Sequence, residues 1–234
     1  MSDPSELRVM TYNVRSLRDD VGAITDVIRS AEPDVLAVQE APRFLRWRSK
    51  RAALARRSGL VVGTADRTGG LLLMTSLRAR VVATDFALLP KSPRLHQRAV
   101  AIATVDAGGH RWRVASVHFS LNAAERRNHL PALWSAVGAN GSEPATPLVI
   151  AGDLNEPPGG PVFTELAERM QDCYAAAGGT DGSTSPAAAP RQRLDAIFVS
   201  SGCEVVSCEV IADGAPGASD HLPVLAVLRP PSAA

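Results

Sequence analysis

Apolar residues fall into short runs along this chain, and most of those runs stop at an acid, an amide or an imidazole. Leu7 to Val14 alternates, with Leu7 and Val9 on one face and Met10, Tyr12 and Val14 on the other, which predicts a strand. Val21, Ile24, Val27 and Ile28 recur at helical spacing. They predict a helix from about Val21 to Ala31, capped by Asp19-Asp20 and ended by Pro33-Asp34. Val35 to Val38 reads as a short buried strand, and Glu40 follows it closely. Five more runs, at 60–64, 71–75, 81–89, 99–105 and 112–118, read as strands punctuated by Gly and Pro. Ala123 to Val137 predicts a helix in spite of Pro131. Leu148 to Ala151 is a buried strand ending in Gly152-Asp153, and Pro161 to Met170 is a helix with Pro in its first turn. The last strands fall near 196–200, 204–211 and 223–228.

Two segments break the pattern. Arg43 to Arg57 holds seven cations and no acid. It predicts a basic helix with Phe44, Trp47 and Leu54 on a buried stripe, its charges forming either a solvated face or a contact surface for phosphates. Residues 178–193 are rich in Gly, Ser, Thr, Pro and Ala without periodicity, which predicts a mobile surface loop placed where a lid could be. No linker or repeat divides the chain. The expectation is a single α/β domain over residues 1–234, its core about 7–229, with largely antiparallel sheets.

Composition sharpens this little. Hydrophobic residues make up 45% and aromatic ones 4%, so the core must be built of Val, Leu, Ala and Ile. Net charge is +1, which names no partner, but it is unevenly spread. Residues 1–142 carry 21 Lys and Arg against 12 Asp and Glu, a net +9, and residues 143–234 carry 4 against 12, a net −8. The split is either drift between two surfaces or a basic face that meets an anion beside an acidic face that holds a cation. Cys173, Cys203 and Cys208 match no zinc spacing and predict reduced thiols. Without a signal-like N-terminus or a run long enough to span a bilayer, the expectation is a soluble cytoplasmic monomer that does not enter a membrane.

The polar groups at the run ends carry the chemistry. They are Tyr12-Asn13-Val14, Gln39-Glu40, Val117-His118-Phe119, Gly152-Asp153-Leu154-Asn155, Leu194-Asp195-Ala196 and Ser219-Asp220-His221-Leu222-Pro223. Taken singly each is a turn, a cap or a surface acid. Gathered at one sheet edge, acids, amides and imidazoles suit a hard divalent cation and phosphate-ester hydrolysis. Asn13, Glu40 and Asp220 are the oxygen donors for Mg²⁺. Asp153 can activate water, and Asn155 points the same way if that segment is extended. His118 and His221 can donate to a phosphoryl oxygen, and Asp195 can orient His221 and keep it protonated.

In this order and nearly over the whole chain, these motifs resemble the endonuclease/exonuclease/phosphatase superfamily. The resemblance implies a four-layered α/β sandwich, two packed mixed β-sheets flanked by helices. It implies Glu40 as the principal metal ligand with Asn13 beside it and Asp220 completing the surroundings. It also implies Asp153 and Asn155 at the nucleophilic water, His118 at the transition state or leaving group, and Asp195 with His221 as an orienting pair. Many repair nucleases of the family carry an acid where this chain has Arg15, which can bind phosphate but no metal. The expected activity is a Mg²⁺-dependent phosphoesterase, Mn²⁺ being a substitute. A nuclease on DNA or RNA is favoured by the basic segment with Arg94, Arg98, Arg126 and Arg127. Arg15, Arg98 and Arg126 are the candidate substrate-binding residues. The alternatives are a phosphatase or phosphodiesterase of small or lipid phosphoesters, weakened for lipids by the lack of an evident hydrophobic docking loop, and a non-catalytic binding protein on the same scaffold.

Overall fold

A computed structural model describes residues 5–64, 66–138, 146–215 and 217–231. In chain order the elements are β1 (Leu7–Asn13), α1 (Val21–Ala31), β2 (Val35–Gln39), α2 (Trp47–Arg57), β3 (Val61–Val62), β4 (Leu72–Thr75), β5 (Ala79–Leu88), β6 (Ala99–Ala107) and β7 (His110–His118). They continue with α3 (Ala123–Ala136), β8 (Leu148–Asp153), α4 (Pro161–Arg169), β9 (Gln171–Asp172), α5 (Cys173–Ala176), β10 (Asp195–Val199), β11 (Glu204–Val210) and β12 (Val224–Arg229). One sheet runs β11-β12-β1-β2-β4-β3 and the other β5-β6-β7-β8-β10-β9. Pairing is largely antiparallel, as the sequence led us to expect, and the two parallel pairs, β1 with β2 and β7 with β8, make both sheets mixed.

The alternation of apolar residues decides the layers. Leu7 and Val9 of β1 turn inward and join Val35, Ala37, Trp112, Val114, Val149, Ala151, Ile197 and Leu228 in the core between the sheets. The opposite face of β1, with Met10, Tyr12 and Val14, packs under Ile24, Val27 and Ile28 of α1 and Leu54 of α2. Leu130, Leu133 and Trp134 of α3 with Val162 and Leu166 of α4 cover the second sheet. Helix, sheet, sheet and helix are thus four layers, as the motifs implied.

Asp20 caps α1, its carboxylate accepting the Ala23 N–H at 3.1 Å. The basic segment is helical only from Trp47 onward, and Phe44 stands 77% exposed instead of lying on a buried stripe. Arg51 of that segment is buried. Its guanidinium donates to the carbonyls of Pro42, Asp66 and Leu71, and burial pulls its pKa down to about 10. The cationic face therefore has one member spent on holding the chain.

Strand direction gathers the candidate residues. Because β1 and β2 are parallel, Asn13 and Gln39 are paired at the same end, and Glu40 follows. Because β12 runs antiparallel to β1, its start at Val224 lies there too, which brings Asp220 and His221 to that edge. In the other sheet His118 and Asp195 are both in register with Asp153. A buried polar bridge sets one sheet on the other. Thr11 Oγ1 donates to Gln39 Oε1 at 3.1 Å, and Gln39 Nε2 donates to Ser116 Oγ at 3.3 Å.

Gly152 is required just before Asp153. A Cβ there would collide with the Val117 carbonyl oxygen of the neighbouring strand. Gly152→Ala is expected to cost about 1–3 kcal/mol by overpacking, seen as a lower denaturation midpoint with an unchanged m-value, and to displace Asp153 from the edge.

Candidate active site

Asp153 is the centre of the site. It is 1% exposed at the end of β8. Asn13 Nδ2 donates to its Oδ2 at 3.0 Å across the gap between the sheets, and the Asn155 N–H donates to its Oδ1 at 2.9 Å. His118 Nε2 lies 3.4 Å from Oδ2, and His221 Nε2 lies 4.0 Å from the same atom. Asn155 is not in an extended segment as expected. Its φ is +50°, a left-handed turn that Asn tolerates, and its side-chain amide donates to the Phe119 carbonyl at 3.0 Å. Its Oδ1 stays available for water or phosphate.

The two imidazoles are in opposite states. His221 Nδ1 hydrogen-bonds Asp195 Oδ2 at 2.7 Å. Burial alone would lower its pKa, but the charges of Asp195, Asp153 and Asp220 and the hydrogen bond to Asp195 outweigh it and raise the value to about 9. His118 is fully enclosed. Desolvation, with Arg98, His221 and Arg43 nearby, lowers its pKa to about 3 against the pull of Asp153. At neutral pH His221 is a cation and His118 a neutral ring. Expected as a possible leaving-group acid, His118 is therefore suited to hydrogen bonding and not to proton donation from an imidazolium.

Residues 178–193, expected to be mobile, are stapled into this site. Thr184 is fully buried. Its Oγ1 donates to Asp195 Oδ2 at 2.6 Å and accepts the N–H groups of Leu194 and Asp195, both at 3.2 Å. The Thr184 carbonyl accepts the Leu222 N–H, and the Ala187 N–H donates to the Asp220 carbonyl. Arg193 closes the loop with an ion pair to Asp172, Nη1 to Oδ2 at 2.7 Å, and lies over the rings of Phe163 and Tyr174. Sequence reasoning missed Thr184. A lone Thr in a polar stretch has no periodicity, and its side-chain partners are ten or more residues away.

The remaining candidates divide. Glu40 stands half-buried at the end of β2 with φ +51°, its carbonyl accepting the Ser16 N–H at 2.9 Å. Its charge and that of Asp153 both act on the half-buried Arg98, whose pKa burial lowers. Asp220 is tied to Arg15, with Nε and Oδ2 3.3 Å apart, and accepts from Ser219 Oγ, which also reaches the Asn13 carbonyl at 2.7 Å. Arg15 is half exposed and also pairs with Asp19. Arg126 is not available to a substrate. It is buried, and its guanidinium is consumed by Glu156 and by the carbonyls of Ser120 and Leu121. Among the described residues, the acids and imidazoles whose ligand atoms converge within 4.8 Å are Asp153, Asp195 and His221, without Glu40 or Asp220.

The donors fit a hard cation. Asp195 Oδ1 is buried without a hydrogen-bond partner, the one oxygen of the Asp153–Asp195–His221 group so left among the described residues. Asn13 Oδ1, which accepts the Arg15 N–H at 3.1 Å, keeps a second lone pair, and Glu40 directly follows Gln39, the residue paired with Asn13. Oxygen donors of this kind suit Mg²⁺ better than zinc.

A sheet-edge site of acids, amides and imidazoles on a four-layered sandwich defines a class of phosphoester hydrolases. The model of the endonuclease/exonuclease/phosphatase family matches residues 10–221, and the chain belongs to that family. No curated protein matches it. A functionally unknown conserved protein from Enterococcus faecalis is similar at a TM-score of 0.79 with 19% identity, covering 96% of this chain and 100% of the other. A mannosyl-6-phosphatase from Bacteroides thetaiotaomicron is similar at 0.82 with 15% identity, covering 95% and 99%. D. rerio TDP2, complexed with single strand DNA product, is similar at 0.74 with 17% identity, covering 96% and 99%. At these identities the likeness is one of fold.

Two predictions follow from the Asp195 environment. In the metal-free protein, imidazole ¹⁵N shifts should show His221 titrating at about 9, and Asp195→Asn should return it toward the ordinary histidine range. Because the folded value is raised, this pair's stabilisation is whole below the unfolded pKa near 6.5 and is lost as pH rises through about 9. Thr184→Val should lower stability by about 1.5–3 kcal/mol, the value of a hydrogen bond to a charged group. It should also shift the alkaline limb of the pH–rate profile, and Thr184→Ser should restore both.

Proposed function

We propose that the chain is a Mg²⁺-dependent phosphodiesterase acting on nucleic acid. The observation that carries this reading is the Asp153 carboxylate, held between Asn13 and Asn155 with one neutral and one cationic imidazole within reach. Asn13 and Glu40 would hold the cation, with Asp220 once released from Arg15. When bound, it supplies charge neutralisation at the phosphoryl oxygens.

The chain's own groups do the rest. Asp153 Oδ2 accepts a proton from water as the water oxygen attacks phosphorus and the ester P–O bond breaks, and the departing oxygen takes its proton from solvent. His221, kept protonated by Asp195, donates a hydrogen bond where negative charge grows on the phosphoryl oxygens. His118 and Asn155 hold water and phosphate in line. Arg98, close enough to feel Glu40 and Asp153, attracts the incoming phosphate. Nucleic acid is favoured over a small phosphoester by the exposed cations beside this edge. Arg46, Arg48, Lys50 and Arg94 are all exposed and have no ion-pair partner among the described residues.

Nicking of supercoiled plasmid tests this. Mg²⁺-dependent nicking is expected, abolished by EDTA and reduced by at least about 10³-fold in Asp153→Ala, comparable to loss of a general base, with circular dichroism unchanged. Glu40→Gln should raise the Mg²⁺ concentration needed for half-maximal rate. Hydrolysis confined to sugar phosphates or other small esters would overturn the nucleic-acid reading.

A further inference from the structure

Four residues past Glu40 the chain presents Phe44 and Leu45 to solvent, 77% and 82% exposed, and three residues past His118 it presents Leu121, 79% exposed. Single exposed apolar residues are ordinary on any surface, but these three are not scattered. β2 and β7 face each other through the Gln39–Ser116 hydrogen bond, so the loops that follow them leave the same edge side by side. The first loop is braced from beneath. The Arg51 guanidinium donates to the Pro42 and Leu71 carbonyls, at 2.9 and 3.0 Å, and the Ala41 N–H donates to the Gly70 carbonyl at 2.7 Å.

Cations surround the tip. Arg43 lies over the Phe44 ring at 5.3 Å and Arg48 over Trp47 at 4.4 Å. Arg98, on the loop before β6, feels the charge of Arg43, which joins the two loops into one basic flank beside the site. A guanidinium stacked on an aromatic ring leaves a platform on which a further flat π-system can lie. Paired bases offer only their edges, whereas unpaired bases offer their faces. An anionic membrane fits the same apolar and basic elements less well, because the partly exposed acids Asp19 and Asp220 share this edge and would face the headgroups.

We propose that the Phe44–Leu45 tip, with Leu121 on the neighbouring loop and Arg43, Arg46 and Arg48 around it, is a stacking platform for unpaired bases of single-stranded nucleic acid. Its backbone would then lead a phosphodiester toward Asp153. This rests on the phosphodiesterase reading and narrows its substrate to strands with exposed bases.

The test measures binding of a mixed-sequence single-stranded oligonucleotide in EDTA, where turnover stops, by fluorescence anisotropy. Hydrolysis of bis(p-nitrophenyl) phosphate with Mg²⁺ is measured beside it. Phe44→Ser with Leu45→Ser should weaken oligonucleotide binding by about 10- to 100-fold while leaving bis(p-nitrophenyl) phosphate turnover unchanged. Phe44→Trp should keep the affinity and show quenching on binding. Equal affinity of the double variant and the native chain would overturn the platform. So would loss of a stable dimer in the double variant, which would assign the tip to a second copy. Binding to phosphatidylserine vesicles in place of the oligonucleotide would assign it to a membrane. Turnover of the small ester without oligonucleotide binding would sink the platform and leave the phosphodiesterase reading standing. Oligonucleotide binding through Phe44 without turnover of any ester would sink that reading and leave the platform.

Discussion

Buried carboxylates need donors, and in this protein that need joins the two sheets. Asp153 and Asp195 are both almost wholly removed from water, a costly position for an acid without partners. Asp153 takes a donor from the opposite sheet through Asn13 and another from its own turn. Asp195 takes Thr184 from a long loop and His221 from the segment just before β12. Without either set, an acid would be stranded at the mouth of the sandwich. The same hydrogen bonds that make burial tolerable therefore fix the distances on which the chemistry depends.

The electrostatic division of the site follows from that arrangement. One histidine faces a buried acid at hydrogen-bond distance and is held cationic. The other is enclosed among arginines and the first histidine and is held neutral. Two chemically identical side chains are assigned different work by their surroundings alone. Around them the cations Arg15, Arg43 and Arg98 stand close to the acids Asp153, Asp195 and Asp220 at a single edge.

Much of this was legible in the sequence because strand alternation and strand-end motifs are local signals. Asn13, Glu40, His118, Asp153, Asp195 and His221 each close or precede an apolar run, and the structure places the ends of those runs together. What was illegible depends on long-range partners. Arg126 looked like a phosphate ligand, but Glu156, thirty residues on, consumes it while also accepting the first N–H groups of α4. Arg51 reads as one cation among seven, and only tertiary packing turns it into a brace. Residues 178–193 have the composition of a free loop. Thr184 and Arg193 anchor it through side-chain hydrogen bonds that leave no periodic trace. Phe44 was placed on a helical stripe that begins only at Trp47, so its exposure was hidden as well.

The place of β12 between β11 and β1 has a consequence for the making of the protein. Among the described strands β1 is made first, yet its partner on that side is made after all the others, and Ser219 closes onto Asn13 across 206 positions of chain. A ribosome-bound chain lacking β12 would have Asp153 without His221 beside it and Asp195 without its imidazole. Such an intermediate lacks the acid–imidazole pair, so the site is assembled only once the strand between β11 and β1 is in place.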